Sequence, residues 1–218
     1  MVRCFFLTLA LTVTAVVACA QEIGPAMPSF LRGVRIGMSE DDLRKVRPGA
    51  ARFEIFHEPE VQGDDPNPLD MEILSGSLFF DTVSYLFCDR KLCAVTLASV
   101  GEGEAFAQRQ AKVAQGALKK WGDMPERLLS LGVGLEKGIG ERKRAALLWK
   151  EGPFRILLTF TPATKAGPGD TALTIMDLER LPENLRAIFF QSLIAVVPGQ
   201  DQRLFAPLEM QVAPPLFE

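Results

Sequence analysis

The chain has 218 residues, 24 Lys and Arg against 27 Asp and Glu, one His and four Cys, with 48% hydrophobic and 23% charged residues. Those fractions belong to a folded globular protein and exclude a mainly disordered chain. A net charge of −3 supplies no basic excess for general nucleic-acid binding, and one imidazole is too few for a His-rich metal site.

After Met1-Val2-Arg3 comes an uncharged run of 17 residues, 4–20, rich in Leu, Val, Ala and Phe, and then Gln21-Glu22. One basic residue, an apolar stretch and small residues ahead of a polar one are the parts of a secretory signal. A spanning helix needs about 17–25 apolar residues, so this run sits at the lower limit. No basic stop-transfer cluster follows it. The expectation is export to the periplasm, with 1–20 removed as a signal peptide and 21–205 forming the exported domain. Two cuts fit. Ala18-Cys19-Ala20 is a small-x-small site that releases Gln21. Val16-Val17-Ala18-Cys19 resembles the lipobox of bacterial lipoproteins, which implies acylation of Cys19 and anchorage to a membrane by lipid. Acyl chains at roughly 0.8 kcal/mol per buried methylene would hold firmly. Either cut removes Arg3 alone among the charges, leaving 23 basic and 27 acidic residues, a charge of −4.

In chain order, Ser39 is placed to cap a helix, with Asp42 reaching back from three residues on. Leu43 and Val46 form its apolar edge and Pro48-Gly49 ends it after about two turns. Arg52-Phe53-Glu54-Ile55-Phe56-His57 alternates as a strand does. Residues 58–70 read as a polar loop with three prolines. Residues 77–99 are the strongest β segment: Val83, Tyr85 and Phe87 alternate, Asp89-Arg90-Lys91 turns, and 92–99 returns as a hairpin. A helix is expected over 104–121, with Phe106, Val113, Ala117 and Trp121 on one stripe and Gly122 just past its end. Residues 128–143 read as a loop with a frayed helical turn. Residues 145–149 and 154–161 form a second hairpin around Glu151-Gly152-Pro153, and 171–177 adds a strand. Pro182 opens a last helix whose Leu185, Ile188, Phe189 and Leu193 share a face, stopped by Pro198-Gly199. The tail, 206–218, carries three prolines and reads as extended or loosely docked.

Helices interrupted by hairpins indicate an α+β fold, an antiparallel sheet of hairpins with two or three packed helices. A tandem α-β-β-β arrangement, with halves 30–100 and 101–197, is compatible with this order.

Gly37-Met38-Ser39-Glu40-Asp41-Asp42-Leu43 starts a short helix, Phe87-Cys88-Asp89-Arg90-Lys91-Leu92 forms a hairpin, and Trp121-Gly122-Asp123-Met124-Pro125 closes a helix. Together these resemble the small exported lipoprotein domains of the outer-membrane-assembly BamE/SmpA type, over 37–97 at most. The resemblance implies two helices on an antiparallel sheet and a scaffold for protein contacts in the cell envelope. It carries over no catalytic residue.

Cys88 and Cys93 remain after the signal, and an isolated pair in an oxidising compartment closes as a rule. A two-residue turn at Arg90-Lys91 puts them opposite each other, within disulfide range. A three-residue turn instead gathers Val83, Tyr85, Phe87, Cys93, Val95 and Leu97 on one face, which burial favours. The two registers conflict, and the pair stands as the disulfide candidate. The five-residue spacing is not the Cys-x-x-Cys of a catalytic thiol pair.

Catalytic patterns are sparse. His57 lacks a nucleophile elbow around Ser75, Ser77 or Ser84. The oxygen ligands of Glu58, Glu60, Asp64, Asp65 and Asp70 do not fall at EF-hand spacing, so no metal is assigned. The glycines of 132–140 lack the Gly-Lys-Ser/Thr ending of a phosphate loop. The reading is therefore a non-catalytic binding or assembly module of the bacterial envelope, contacting envelope proteins or a small ligand. It needs no cofactor and no nucleic acid, and touches the membrane only through lipid on Cys19. The alternative is a periplasmic hydrolase using paired carboxylates among Glu58, Glu60, Asp64 and Asp70. Mass spectrometry of the mature N-terminus separates the two cuts: the lipobox predicts acylated Cys19, and a free Gln21 start would remove the lipid anchor.

Overall fold

A computed structural model of the chain describes residues 25, 27–53, 68–75, 77–123, 125–132, 142–163, 167–190, 193–195 and 205–210. The strands are β1 (Ala51–Arg52), β2 (Leu69–Ile73), β3 (Thr82–Cys88), β4 (Lys91–Gly101), β5 (Glu126–Gly132), β6 (Arg142–Glu151), β7 (Phe154–Thr161), β8 (Gly169–Asp177) and β9 (Leu193–Ala195). The helices are α1 (Glu40–Val46), α2 (Gly103–Trp121), α3 (Glu183–Phe190) and α4 (Ala206–Glu209). The strands form one antiparallel sheet in the order β1-β2-β3-β4-β8-β7-β6-β5-β9. The fold is mixed α+β. Among the described residues no helix is long and apolar enough to cross a membrane.

Strand alternation sorts the sheet into two apolar faces. Val83, Tyr85, Phe87, Leu92, Val95, Leu97, Leu147, Ile156, Leu158, Leu173 and Ile175 share one cluster with Val113, Ala114 and Ala117 of α2. Each such large side chain contributes about 1.5–3 kcal/mol on full burial. Cys88, Cys93, Ala94, Ala146, Leu148, Leu157 and Met176 pack on the other side with Leu181, Leu185 and Phe189. Thus α2 covers one face and α3 part of the other.

Helices α1 and α2 are capped and seated for local reasons. In α1 the Ser39 hydroxyl accepts the Asp42 N–H at 3.2 Å and donates to the Asp42 carboxylate at 2.8 Å. Gly122, with φ 101°, ends α2 in a conformation a side chain would strain. Phe106 lies over two glycines: a Cβ on Gly101 would come 2.5 Å from its ring, and one on Gly169 would come 2.6 Å from the Thr161 carbonyl oxygen. Gln110 then ties α2 to the sheet, its Nε2 donating to the Thr161 and Asp170 carbonyls at 3.0 and 2.9 Å.

Several expectations need correcting. The region read as a loop from 128 contains β5, whose Leu129 is buried in the core. The polar loop 58–70 gives way at Leu69 to β2, whose charged residues face inward and so hide the strand pattern. The strand from Arg52 is described only as Ala51–Arg52, and 54–57 lie outside the described residues. The last helix stops at Phe190, and Leu193 belongs to β9, not to the helix face. In the tail, 206–209 is a short helix with Pro207 buried, held where Gln115 donates to the Met210 carbonyl.

The β3–β4 hairpin adopts neither expected register. Asp89 and Arg90 form the turn, with φ of 49° and 62°, and Cys88 pairs with Lys91. Phe87 pairs with Leu92 but Leu86 with Ala94, so Cys93 is the extra residue of a bulge. The bulge resolves the conflict between burial and bridging. It puts Leu92, not Cys93, on the face of Phe87, and turns both cysteines to the opposite side at disulfide distance, with Cα atoms 5.6 Å apart. Closing so short a loop is worth about 2 kcal/mol. Replacing both residues, Cys88→Ala with Cys93→Ala, should lower urea-measured stability by about that amount; two free thiols in denatured, natively exported protein would refute the bridge.

Candidate functional site

Three regions outside the main core concentrate chemistry. At the β1–β2 margin, Asp70 and Glu72 stand two apart on β2, opposite Tyr85 and Val83, on the core-facing side. The Asp70 side chain is fully buried; Arg52 Nε donates to it at 2.8 Å and an Arg44 nitrogen lies 3.6 Å away. Glu40 closes the loop by pairing with both Arg44 and Arg52. Glu72 receives a two-pronged bond from Arg47 at 2.8 and 2.9 Å and a third from the Tyr85 hydroxyl at 3.3 Å. Arg47 also donates to the Phe30 carbonyl at 3.1 Å. A carboxylate taken out of water costs several kcal/mol unless it is paired, and here every one is. Burial opposes the charge on Arg47, yet its bond to Glu72 leaves the guanidinium above its ordinary value. The network is a fixed ionic joint between α1 and β2, with its carboxylates already engaged by cations.

At one end of the sheet, Ile73, Leu78 and Val100 are 78%, 66% and 61% exposed. Ile73 heads a row with Thr82 and Ala98, and Val100 follows Ala98 by two residues on the same face. Beside them Ser84, Thr96 and Thr174 align across β3, β4 and β8, the two threonine hydroxyls 3.0 Å apart. This half of the face carries small, polar and part-exposed side chains next to two large apolar ones, Ile73 and Val100.

At the opposite end lies a cleft of about 320 Å³ that opens to solvent, lined by Trp121, Glu126, Leu148, Trp149, Lys150 and Glu151. The two indoles are tilted at 51° with centres 6.0 Å apart, and Trp149 Nε1 donates to the Gly122 carbonyl at 2.8 Å. Lys150 pairs with Glu126 at 3.0 Å, both about half exposed. The Lys120 ammonium sits 5.5 Å from the centre of the Trp121 ring and donates to the Met27 carbonyl at 2.7 Å. Burial draws Lys120 below the ordinary lysine value, with Glu151 acting the other way.

Of the residues singled out in the sequence, Cys88 and Cys93 come together, and Asp70 joins arginines, not other carboxylates. Cys19, His57, Glu58, Glu60 and Asp64 lie outside the described residues, as do 133–140 of the glycine-rich stretch. Sequence reasoning missed Arg44, Arg47, Arg52 and Glu72. The alternation Asp70-Met71-Glu72-Ile73 was a strand signal, but with its charged side turned to the core. Compared with known proteins, the chain matches no family model, no curated protein and no solved structure.

Tyr85 is the chain's one tyrosine, so the network carries its own reporter. Burial pushes the phenol well above its ordinary value of 10.0, and the adjacent Glu72 carboxylate adds to this while Arg47 opposes it. Folding therefore favours the neutral phenol: its contribution is full below pH 10 and is lost as pH climbs above that value. The near-ultraviolet phenolate signal should stay silent as the pH passes 10 and should appear only with unfolding. A titration near 10 in protein still folded by circular dichroism would contradict the buried hydrogen bond.

Proposed function

We propose that this chain is an exported bacterial envelope protein that acts as a non-catalytic binding or assembly module. The observation that carries the reading is Ile73 and Val100 on one face at one end of an otherwise well-packed sheet, with Leu78 exposed in the β2–β3 connection: large apolar side chains held in water. The signal-like 1–20, the lipobox-like Val16-Val17-Ala18-Cys19 and the bridged hairpin support placement in an oxidising compartment outside the inner membrane. The likeness of 37–97 to BamE/SmpA-type domains supports an assembly role. We read the sheet as a tandem of two helix-plus-meander units, α1 with β1–β4 and α2 with β5–β8, meeting along β4 and β8. The hydrolase alternative draws no support from Asp70, whose fully buried carboxylate is bonded to Arg52 through one oxygen and faces Arg44 at 3.6 Å with the other.

The test is affinity capture from detergent-solubilised envelopes with the full chain and with an Ile73→Ser, Val100→Ser variant. Both positions are exposed, so the variant should fold normally. A discrete partner retained by the unmodified chain and lost by the variant is expected; equal capture by both, or no partner at all, would overturn the reading.

A further inference from the structure

The Cys88–Cys93 bridge faces the same side of the sheet as α3. Its two residues are 2% and 0% exposed. Neighbours in the sheet stand beside the sulfurs and leave them open from above, so only chain lying over the face covers them. In the apolar cluster that holds the cysteines, Ala94, Leu157 and Met176 belong to strands. Among the described residues, its members from outside the sheet are Leu178, Leu181, Leu185, Phe189 and Phe190. All five come from the segment 178–190 that follows β8.

This cover is pinned at its base. The Asp177 carboxylate, at the end of β8, accepts the Glu179 N–H at 2.9 Å and the Arg180 Nε–H at 3.1 Å. The Leu181 N–H donates to the Asp177 carbonyl at 3.0 Å, and Arg186 reaches back from α3 to the Leu181 carbonyl. Farther along, α3 seats through Leu185, Phe189 and Phe190, each only partly buried. A helix of eight residues held in this way opens at lower cost than the long central strands beneath it.

Thiol–disulfide exchange starts with a thiolate reaching one sulfur of the bridge, so access sets its rate. We propose that the segment 178–190 is a gate over the bridge: Cys88 and Cys93 exchange with thiols and disulfides only while it is unseated. The two cysteines must then be oxidised before the fold is complete. The disulfide that oxidises them takes up their two electrons and two protons and leaves as two thiols. Once the gate has seated, the protein keeps its bridge when its surroundings turn reducing. The bridge is a latch set once during assembly, and it owes nothing to the apolar end at Ile73 and Val100.

The test adds dithiothreitol in large excess to the full folded protein and counts free thiols with time by maleimide labelling. One reagent thiolate attacks a bridge sulfur and releases the other cysteine. The second reagent thiolate then closes the dithiothreitol ring and frees the remaining cysteine, two electrons having passed to the protein. Reduction should be at least about tenfold slower than for the same protein in urea. Leu185→Ser with Phe189→Ser, at part-buried positions of α3, should raise the native rate about tenfold while the circular dichroism of the sheet is retained. Val113→Ala, which weakens the α2 face instead, should leave that rate unchanged. Should the α3 variant fail to fold, hydrogen exchange of the unmodified chain takes its place: amides of 183–190 should exchange faster than those of β4 and β8. Native reduction less than about tenfold slower than in urea would overturn the proposal. So would a folded α3 variant that reduces no faster, an equal acceleration by Val113→Ala, or α3 amides as protected as those of the central strands.

Discussion

Eight consecutive residue pairs between β4 and β8, from Ala94 with Met176 to Gly101 with Gly169, make one sheet out of two runs of strands. Outward from the seam the strands follow in reverse sequence order on each side, β4 to β1 toward one edge and β8 to β5 toward the other, where β9 completes the sheet. The seam is the long-range contact: Thr96 and Thr174 meet across 78 residues. Everything else on the core side depends on it. Phe106 settles over Gly101 and Gly169, one glycine from each central strand, and Gln110 holds the carbonyls of Thr161 and Asp170. α2 thus acts as a clasp across the seam. A pairing so distant in sequence must pay loop-closure entropy before its contacts form.

What was legible beforehand follows from which forces act locally. The stripe of Phe106, Val113 and Ala117 and the alternation of Val83, Tyr85 and Phe87 are local periodicities, and both elements formed where expected. β2 was hidden because its inward positions, Asp70 and Glu72, are polar in sequence and acceptable in the core only once Arg52 and Arg47 arrive from elsewhere in the chain. β5 was hidden by its glycine-rich continuation, and β9 by its length of three residues. The cysteine pair was legible as a pair, but its register was not. The bulge at Cys93 answers to the burial of Leu92, Val95 and Leu97 across the whole sheet, a demand that turn chemistry alone does not express.

The two ends of the sheet are treated differently by the same chain. The α1–β2 margin is locked by paired ions whose partners are mostly half-buried, so its side chains have little freedom to serve a changing ligand. The bridged hairpin adjoins that margin, where the Gly37 N–H donates to the Leu92 carbonyl and Ser39 bridges Lys91. The cleft beside Glu126 and Lys150 lies on the far side of the sheet, where Gly122 ends α2. Rigid elements presenting a few polar groups beside apolar walls lower the ordering cost of binding, because the geometry exists before the ligand arrives.

The outermost strands are the shortest in the sheet: β1 has two residues and β9 three. A broad sheet ordinarily offers two long templates on which another copy could zip up by backbone hydrogen bonding. Here the described edges offer room for hardly one such bond each before the match ends. Within the described residues, a sheet that tapers this way presents only a short template to a second copy.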